Sequence, residues 1–221
     1  MWINKVHDFL IDLIFPCHCL GCGRAGSFIC KDCLDRVPLL NRLIYPDERA
    51  NLNGIIIATD YRHFLVAKAI KYLKYKPYLR PLGKKLSLLL IRALERFPWC
   101  VDYFSKNKFI LVPLPLTRKK LAGRGFNQAE LLAKEVSTKF GWPLAPEILK
   151  KIKNTPSQTD LTRQERKINV KGAFKANQSL QEKNIILVDD IFTTGATLEE
   201  AARALRQAGA KEIWGLVLAK G

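Results

Sequence analysis

Long apolar segments are missing from this sequence. No run of eighteen uncharged apolar residues occurs among its 221 residues, so no membrane span is predicted. Near the N-terminus, Asp8 and Asp12 interrupt the apolar residues and no small-residue cleavage site follows. We therefore interpret residues 1–15 as an amphipathic helix rather than a signal peptide. Hydrophobic residues make up 48% of the chain, which excludes a disordered protein and predicts a buried core.

Acidic residues are scarce. The chain has 37 Lys and Arg against 20 Asp and Glu, which gives a formal net charge of +17. Residues 61–94 and 103–129 contain no Asp or Glu at all. A positive field of this size favours nucleic acid, phosphorylated metabolites or anionic membranes as partners.

Two common signatures are also absent. The sequence Gly83-Lys84 is followed by Lys85 and lacks an upstream glycine, so there is no P-loop for a nucleoside triphosphate. No helix-turn-helix with a recognition helix is found, which argues against a regulator that reads duplex DNA.

Four of the six cysteines form two Cys-x-x-Cys pairs with seven residues between them: Cys19, Cys22, Cys30 and Cys33. Thiolates at this spacing can converge on one tetrahedral ion, and Zn²⁺ is the usual occupant of such sites. An iron centre and a redox dithiol are the alternatives. Cys17 and His18 are possible additional ligands, whereas Cys100 is interpreted as a core thiol. Clustered cysteines of this kind fit a metal site in a reducing cytoplasm rather than disulfides.

The remaining chain alternates between strand-like and helix-like segments. Strands are predicted over residues 55–58, 109–112, 184–188 and 212–218, and helices over 64–75, 82–97, 127–140 and 196–208. This order predicts an α/β fold with a parallel sheet and helices on both faces. The polar segment 154–169 is predicted to be a long functional loop.

The most informative motif follows the apolar residues 185–188. Asp189 and Asp190 come at the predicted end of that strand, where open α/β sheets bind ligands. A turn rich in hydroxyl groups then opens a helix: Thr193, Thr194, Gly195, Ala196 and Thr197. Carboxylates accept hydrogen bonds from sugar hydroxyls and help to hold hydrated Mg²⁺, while backbone N–H groups at a helix start bind phosphate. A sugar phosphate satisfies both halves of the motif.

This motif resembles the signature of type I phosphoribosyltransferases that binds 5-phosphoribosyl-1-pyrophosphate (PRPP). The resemblance implies that Asp189 and Asp190 bind the ribose hydroxyls and act in catalysis, and that residues 193–197 surround the 5′-phosphate.

A second motif, residues 112–133, places prolines, a basic cluster and a glycine-flanked helix start after another apolar run. Together with segments 158–166 and 169–174, it resembles the ComF family of competence-related proteins. The resemblance implies a type I phosphoribosyltransferase-like domain (residues 37–221) behind a zinc module (residues 1–36), and a role in DNA uptake during natural transformation. It also implies a pyrophosphate loop that includes Pro113, Leu114 and Arg118, and a flexible lid over about 154–170 in which Arg163 and Arg166 contact the pyrophosphate.

A basic stretch with interspersed tyrosines is a candidate single-stranded DNA surface: Lys68, Lys71, Lys74, Lys76 and Arg80. Cations can follow a phosphate backbone while aromatic rings stack on bases. The alternative is a solvated helix face without a binding role, whose tyrosines anchor the helix to the core.

The sequence thus supports a cytoplasmic competence-type protein that binds PRPP and Mg²⁺, with a competence helicase or other uptake machinery as a possible partner. A phosphoribosyltransferase acting on a small base, with no DNA role, is the alternative, although no hood that would recognise such an acceptor is found. Whether catalytic turnover occurs is left open. A regulator that senses PRPP and reads duplex DNA is the least favoured interpretation.

Overall fold

The computed structural model describes residues 17–47, 50–153 and 169–221. Its main sheet has five strands in the order β1-β2-β7-β6-β3. The strands are β1 (Leu39–Ile44), β2 (Gly54–Asp60), β3 (Ile110–Pro113), β6 (Asn184–Phe192) and β7 (Glu212–Lys220). All pairings are parallel except that of β1 with β2. The predicted mixed α/β fold with a mostly parallel sheet is confirmed.

Seven helices and a small hairpin complete the described part. The helices are α1 (Lys31–Asp35), α2 (Phe64–Lys74), α3 (Leu82–Glu95), α4 (Pro98–Lys106), α5 (Arg118–Arg124), α6 (Gln128–Phe140) and α7 (Ala196–Gln207). The hairpin pairs β4 (Leu149–Lys151) with β5 (Phe174–Ala176) in antiparallel register. No helix among the described residues is long and apolar enough to cross a membrane.

Alternating side chains of the sheet pack into two cores. On one face, Ile186 and Val188 of β6 pack with the residues of α2, α3 and α6. On the other face, Ile185 and Leu187 pack with α7 and the β4-β5 hairpin. Because neighbouring residues of a strand point to opposite faces, the two acids that follow in β6 point into different surroundings.

Several elements differ from the sequence-based prediction. Strand β6 continues to Phe192, so Asp189 and Asp190 lie inside the strand rather than after it. The reason is that β7 runs alongside and pairs Asp189 with Val217 and Ile191 with Ala219. The basic cluster at residues 118–124, for which no helix was predicted, forms helix α5, and Thr117 caps this helix by accepting from the N–H of Lys120.

Two predictions lie outside the described residues. These are the amphipathic helix over residues 1–15 and most of the lid, including Arg163 and Arg166.

Candidate functional site

The acidic pair lies near the carboxyl end of β6, an inner strand of the sheet between β7 and β3. Asp190 is only 3% exposed, and its backbone N–H donates to Oδ1 of Asp189 at 2.8 Å. Burial and the negative charge of Asp190 raise the pKa of Asp189 well above its usual range. Two carboxylates this close favour sharing a proton or recruiting cations, so the pair is suited to bind hydroxyl groups and positive charge.

Lys74 is the cation that lies closest to this pair. Its Nζ is 2.9 Å from Oδ2 of Asp190, and its side chain is 21% exposed. Burial alone would lower the pKa of Lys74, but the charges of Asp190 and Asp189 outweigh it and raise that pKa.

The placement of Lys74 corrects the DNA-surface prediction. In the basic stretch, Lys68, Lys71 and Lys74 recur every third residue, which would place them along one broad side of a helix. Each three-residue step on a helix turns about 60° short of a full circle, so Lys74 lies about 120° around α2 from Lys68. It consequently faces Asp190 rather than solvent.

The predicted phosphate loop connects β6 to α7. Gly195 has φ +78° and precedes the first residue of α7, and the N–H of Glu199 donates to its carbonyl. An added Cβ at Gly195 would lie 2.9 Å from the ring of Phe192, so both conformation and space require glycine here. Thr193 is exposed and Thr194 partly so, whereas Ala196 and Thr197 belong to the first turn of α7. This arrangement suits an anion at the helix start.

The predicted pyrophosphate loop lies beside the acids, on the β3 side of β6. The N–H of Leu114 donates to the carbonyl of Val188, the residue before Asp189. The side-chain amide of Asn127 donates to the carbonyl of Leu114 at 3.0 Å. Pro113 ends β3 and Arg118 begins α5 with its side chain exposed. Pro113, Leu114 and the acidic pair are thus brought together, and Arg118 lies at the rim.

Three further cations belong to this site and were not predicted: Lys120, Arg124 and Lys151. Desolvation and the charges of Arg124 and Lys74 lower the pKa of Lys120. Burial also lowers the pKa of Arg124, against the opposing effect of Asp190. Burial and the charge of Lys120 lower the pKa of Lys151 to about 8, while Asp189 opposes them. Neighbouring cations repel one another, and a bound polyanion relieves this repulsion. Such a cluster is therefore suited to bind a polyanion.

A sequence signal existed for some of these residues. Lys74, Lys120 and Arg124 all lie in the two segments without acids. For Lys151 no signal pointed to the site, because the short strand β4 that carries it could not be predicted.

The four predicted cysteine ligands come together. The Sγ atoms of Cys19, Cys22, Cys30 and Cys33 all lie within 4.8 Å of one another, and those of Cys22 and Cys30 are 3.7 Å apart. A tetrahedral ion with metal–sulfur bonds of about 2.3 Å requires sulfur–sulfur distances of about 3.8 Å. The donor set therefore fits a metal such as zinc.

Backbone donors support one thiolate of this cluster. The N–H of Cys30 donates to Sγ of Cys19 at 3.3 Å. Burial acts to raise the pKa of Cys19, but N–H groups of Cys22, Cys30 and Gly21 outweigh it and lower that pKa. The cluster also contacts the main domain, since Nζ of Lys68 donates to the carbonyl of Leu20 at 3.2 Å.

The other residues of the predicted DNA surface remain accessible. Lys68, Lys71, Lys76 and Arg80 are exposed on and after α2.

Comparison with known proteins agrees with this geometry. Residues 127–221 match the phosphoribosyl transferase domain family, and with the parallel sheet, acidic pair and phosphate loop they define a phosphoribosyltransferase-type domain. The chain is 39% identical over 211 residues to competence protein F of Haemophilus influenzae, covering 90% of this chain and 84% of that protein. The chain therefore belongs to the ComF family of competence-related proteins.

Two other relatives align over shorter lengths. Competence protein ComFC of Bacillus subtilis is 40% identical over 106 residues, which cover 48% of this chain and 42% of that protein. The DNA utilization protein YhgH of Escherichia coli is 33% identical over 106 residues, 47% of each chain.

Proposed function

We propose that this protein binds PRPP together with Mg²⁺ at the carboxyl end of its sheet. The observation that carries the proposal is the position of Asp189 and Asp190 in β6, just before the helix-start loop of α7, with Lys74 paired to Asp190 and three further cations that interact electrostatically with the acids or with one another. A sugar bearing a phosphate at one end and a pyrophosphate at the other matches each of these features.

Each part of the ligand has its own partners in this proposal. Asp189 and Asp190 accept from the ribose hydroxyls, and their negative charge supports a hydrated Mg²⁺. Residues 193–197 hold the 5′-phosphate. The pyrophosphate lies on the β3 side, near Pro113, Leu114 and Arg118, where the cations Lys120, Arg124 and Lys151 compensate its charge. Arg163 and Arg166 of segment 154–170 add further cationic contacts.

The cysteine cluster holds a structural Zn²⁺ in this proposal, within a module of residues 1–36 that precedes the domain of residues 37–221. Metal binding supplies folding energy that so short a segment cannot obtain from a core. Cys22→Ser should abolish a stoichiometric zinc content that Cys100→Ala retains, because Cys100 is buried elsewhere, on α4. Equal zinc in both variants would contradict the assignment.

The cellular role that we propose is DNA uptake in natural transformation, carried out in the cytoplasm. Three kinds of relatives are named as competence or DNA utilization proteins. In this role, single-stranded DNA would contact the exposed cations Lys68, Lys71, Lys76 and Arg80. The expected protein partner is the uptake machinery, such as a competence helicase.

The second candidate is a phosphoribosyltransferase that acts on a small base without a DNA role. The same site favours it, because cations at a leaving pyrophosphate stabilise charge that develops in such a transfer. Pyrophosphate release from PRPP, measured with a panel of bases and with single-stranded DNA, distinguishes the two candidates. Loss of transformability in a deletion strain tests the cellular role.

Thermal unfolding tests the binding of PRPP itself. A ligand at a hundred times its dissociation constant stabilises the folded protein by about 2.7 kcal/mol. We expect PRPP with Mg²⁺ to raise the unfolding temperature more than ribose 5-phosphate or pyrophosphate alone. Equal shifts for all three ligands would reduce the site to a general anion site.

A further inference from the structure

A stripe of exposed aromatic and basic side chains runs along α2 and its C-cap residue. Phe64, Lys68, Lys71 and Tyr75 recur at intervals of four, three and four residues, so they fall within about 60° of one another around the helix axis. All four are exposed, with Phe64 62% and Tyr75 57% accessible. The stripe therefore places an aromatic ring at each end and two cations between them, over about 16 Å.

The Phe64 end of the stripe has an aromatic neighbour. The ring centroids of His63 and Phe64 are 5.2 Å apart with an interplanar angle of 31°. The Nδ1 atom of His63 is buried and finds no hydrogen-bond partner among the residues that the structure describes. A buried polar atom without a partner calls for an explanation, and beside an exposed aromatic ring it marks this end of α2 as a candidate binding surface.

A fixed cation lies on the same end. Arg62 donates from Nη2 to Asp60 at 2.6 Å and from Nε to both carboxylate oxygens at 3.1 Å. These bonds hold the guanidinium in place, although its side chain is 89% exposed. A positioned arginine beside two tilted aromatic rings suits a base attached to an anionic backbone.

This end of α2 adjoins the sugar site across β7. The N–H of Tyr61 donates to the carbonyl of Lys220, and the N–H of Gly221 donates to the carbonyl of Phe192, just before the phosphate loop. In the proposed function the pyrophosphate lies on the β3 side of β6, whereas Phe64 follows β2, the strand on the far side of β7 from β6. A group that attacks C1 of the ribose must approach from the side away from the leaving pyrophosphate. If PRPP binds as proposed, this strand order puts the Phe64 end of α2 toward the acceptor side.

We propose that Phe64, supported by His63 and Arg62, is a stacking platform for a base of single-stranded DNA, whose backbone continues along Lys68 and Lys71 toward Tyr75. The proposal rests on the proposed function and deepens it, because it assigns the acceptor side of the sugar site to a nucleic-acid base. Charge favours this occupant, since the exposed cations of the stripe and the net charge of +17 attract a polyanion.

The test compares two fluorescently labelled oligomers of equal length: oligothymidine and an abasic deoxyribose-phosphate chain. Both carry the same charge, so only a base-binding surface distinguishes them. We expect the intact protein to prefer oligothymidine, and Phe64→Ala to reduce its affinity by about 5- to 150-fold, the range expected for one stacked base. Its affinity for the abasic chain should stay unchanged, and Phe64→Tyr should restore the preference.

The outcomes separate this inference from the proposed function, because the oligomers are measured without PRPP. A Phe64→Ala variant that keeps the full preference, or that loses both oligomers equally, overturns the platform. The platform is also overturned if thymidine monophosphate competes for the protein as well as oligothymidine does. The site would then bind a small molecule rather than a strand. Failure of the intact protein to bind PRPP, with the base preference present, contradicts the proposed function and leaves the platform standing.

Discussion

Asp189 and Asp190 are neighbours in sequence but serve two faces of the sheet. Asp190 is directed to the α2 side, where Lys74 pairs with it at 2.9 Å. Asp189 belongs to the side of the hairpin that carries Lys151, whose pKa it influences. One dipeptide in an extended strand thus interacts with cations from both layers of the fold, and the sugar site that we propose lies between these cations.

Replacing Lys74 should destabilise the protein. Lys74→Met leaves the carboxylate of Asp190 buried without its partner, and breaking such a pair costs about 3–5 kcal/mol. Urea unfolding measures this loss. The exposed Lys71→Met on the same helix is the matched control and should change the free energy of unfolding by less than about 0.5 kcal/mol. Equal effects of the two substitutions would mean that the ion pair contributes nothing to stability.

Lys151 should make PRPP binding depend on pH. Its pKa is lowered to about 8 in the ligand-free protein, and a bound polyanion raises that pKa. Below pH 8 the ammonium is already present, whereas above pH 8 each binding event must take up a proton, so affinity falls by up to about tenfold per pH unit.

The matched control for this effect is Lys151→Arg, since a guanidinium keeps its charge throughout this range. Titrations from pH 7 to 10 should show a steeper fall for the intact protein than for the variant. The ratio of the two affinities isolates Lys151 from the titration of the acidic pair. A ratio that does not change with pH would contradict the placement of Lys151 at the ligand.

At the scale of elements, the turn between β6 and α7 is the proposed binding site of the 5′-phosphate. Gly195→Ala introduces a Cβ at φ +78° and 2.9 Å from Phe192, so the loop must shift. We expect PRPP affinity to fall about tenfold or more, measured by calorimetry, because about 1–2 kcal/mol of strain falls on the ligand-binding amides.

Gly141→Ala provides the control for backbone strain. Gly141 also has positive φ, +70°, but it ends α6 and nothing lies within 4 Å of an added Cβ. This variant should lose a similar amount of stability and keep its PRPP affinity. If both variants bind PRPP equally well, the loop is not the phosphate site.

The elements that sequence predicts well are those with a continuous or periodic apolar pattern. The central part of β6 and helix α7 are examples, since buried residues dominate both. The hairpin β4-β5 has three-residue strands, too short for any pattern to be distinctive. Its structure depends on contacts distant in sequence, such as the bond from the N–H of Gly172 to the buried Glu200 of α7.

The candidate site also combines residues that local sequence predicts with residues that only the fold brings together. Its acids and phosphate loop are contiguous in sequence and could be predicted, whereas Lys74 and Lys151 reach it from elements far away in the chain. Phe64 was predicted to lie in a helix but not in any site. Which face of a helix stays exposed depends on the elements that pack against its other faces, and the sequence does not specify them.

At the scale of the whole molecule, positive charge should control DNA binding. With Lys74 paired to Asp190, four cations of the predicted surface remain: Lys68, Lys71, Lys76 and Arg80. The log–log dependence of single-strand affinity on salt should have a slope of about −2.8, so fourfold more salt weakens binding about 50-fold. Fluorescence anisotropy measures it. A slope near zero would remove the DNA surface, whereas Lys71→Gln should reduce the slope by about 0.7.

The most direct test of the central claim is a calorimetric titration of the zinc-loaded protein with PRPP and Mg²⁺. The intact protein should bind one equivalent, and Asp189→Asn/Asp190→Asn should show no saturable heat. Asp102→Asn, an exposed carboxylate on α4, is the control and should bind as the intact protein does. Full binding by the double variant, or no binding by the intact protein, would contradict the claim that the acidic pair of β6 holds the sugar.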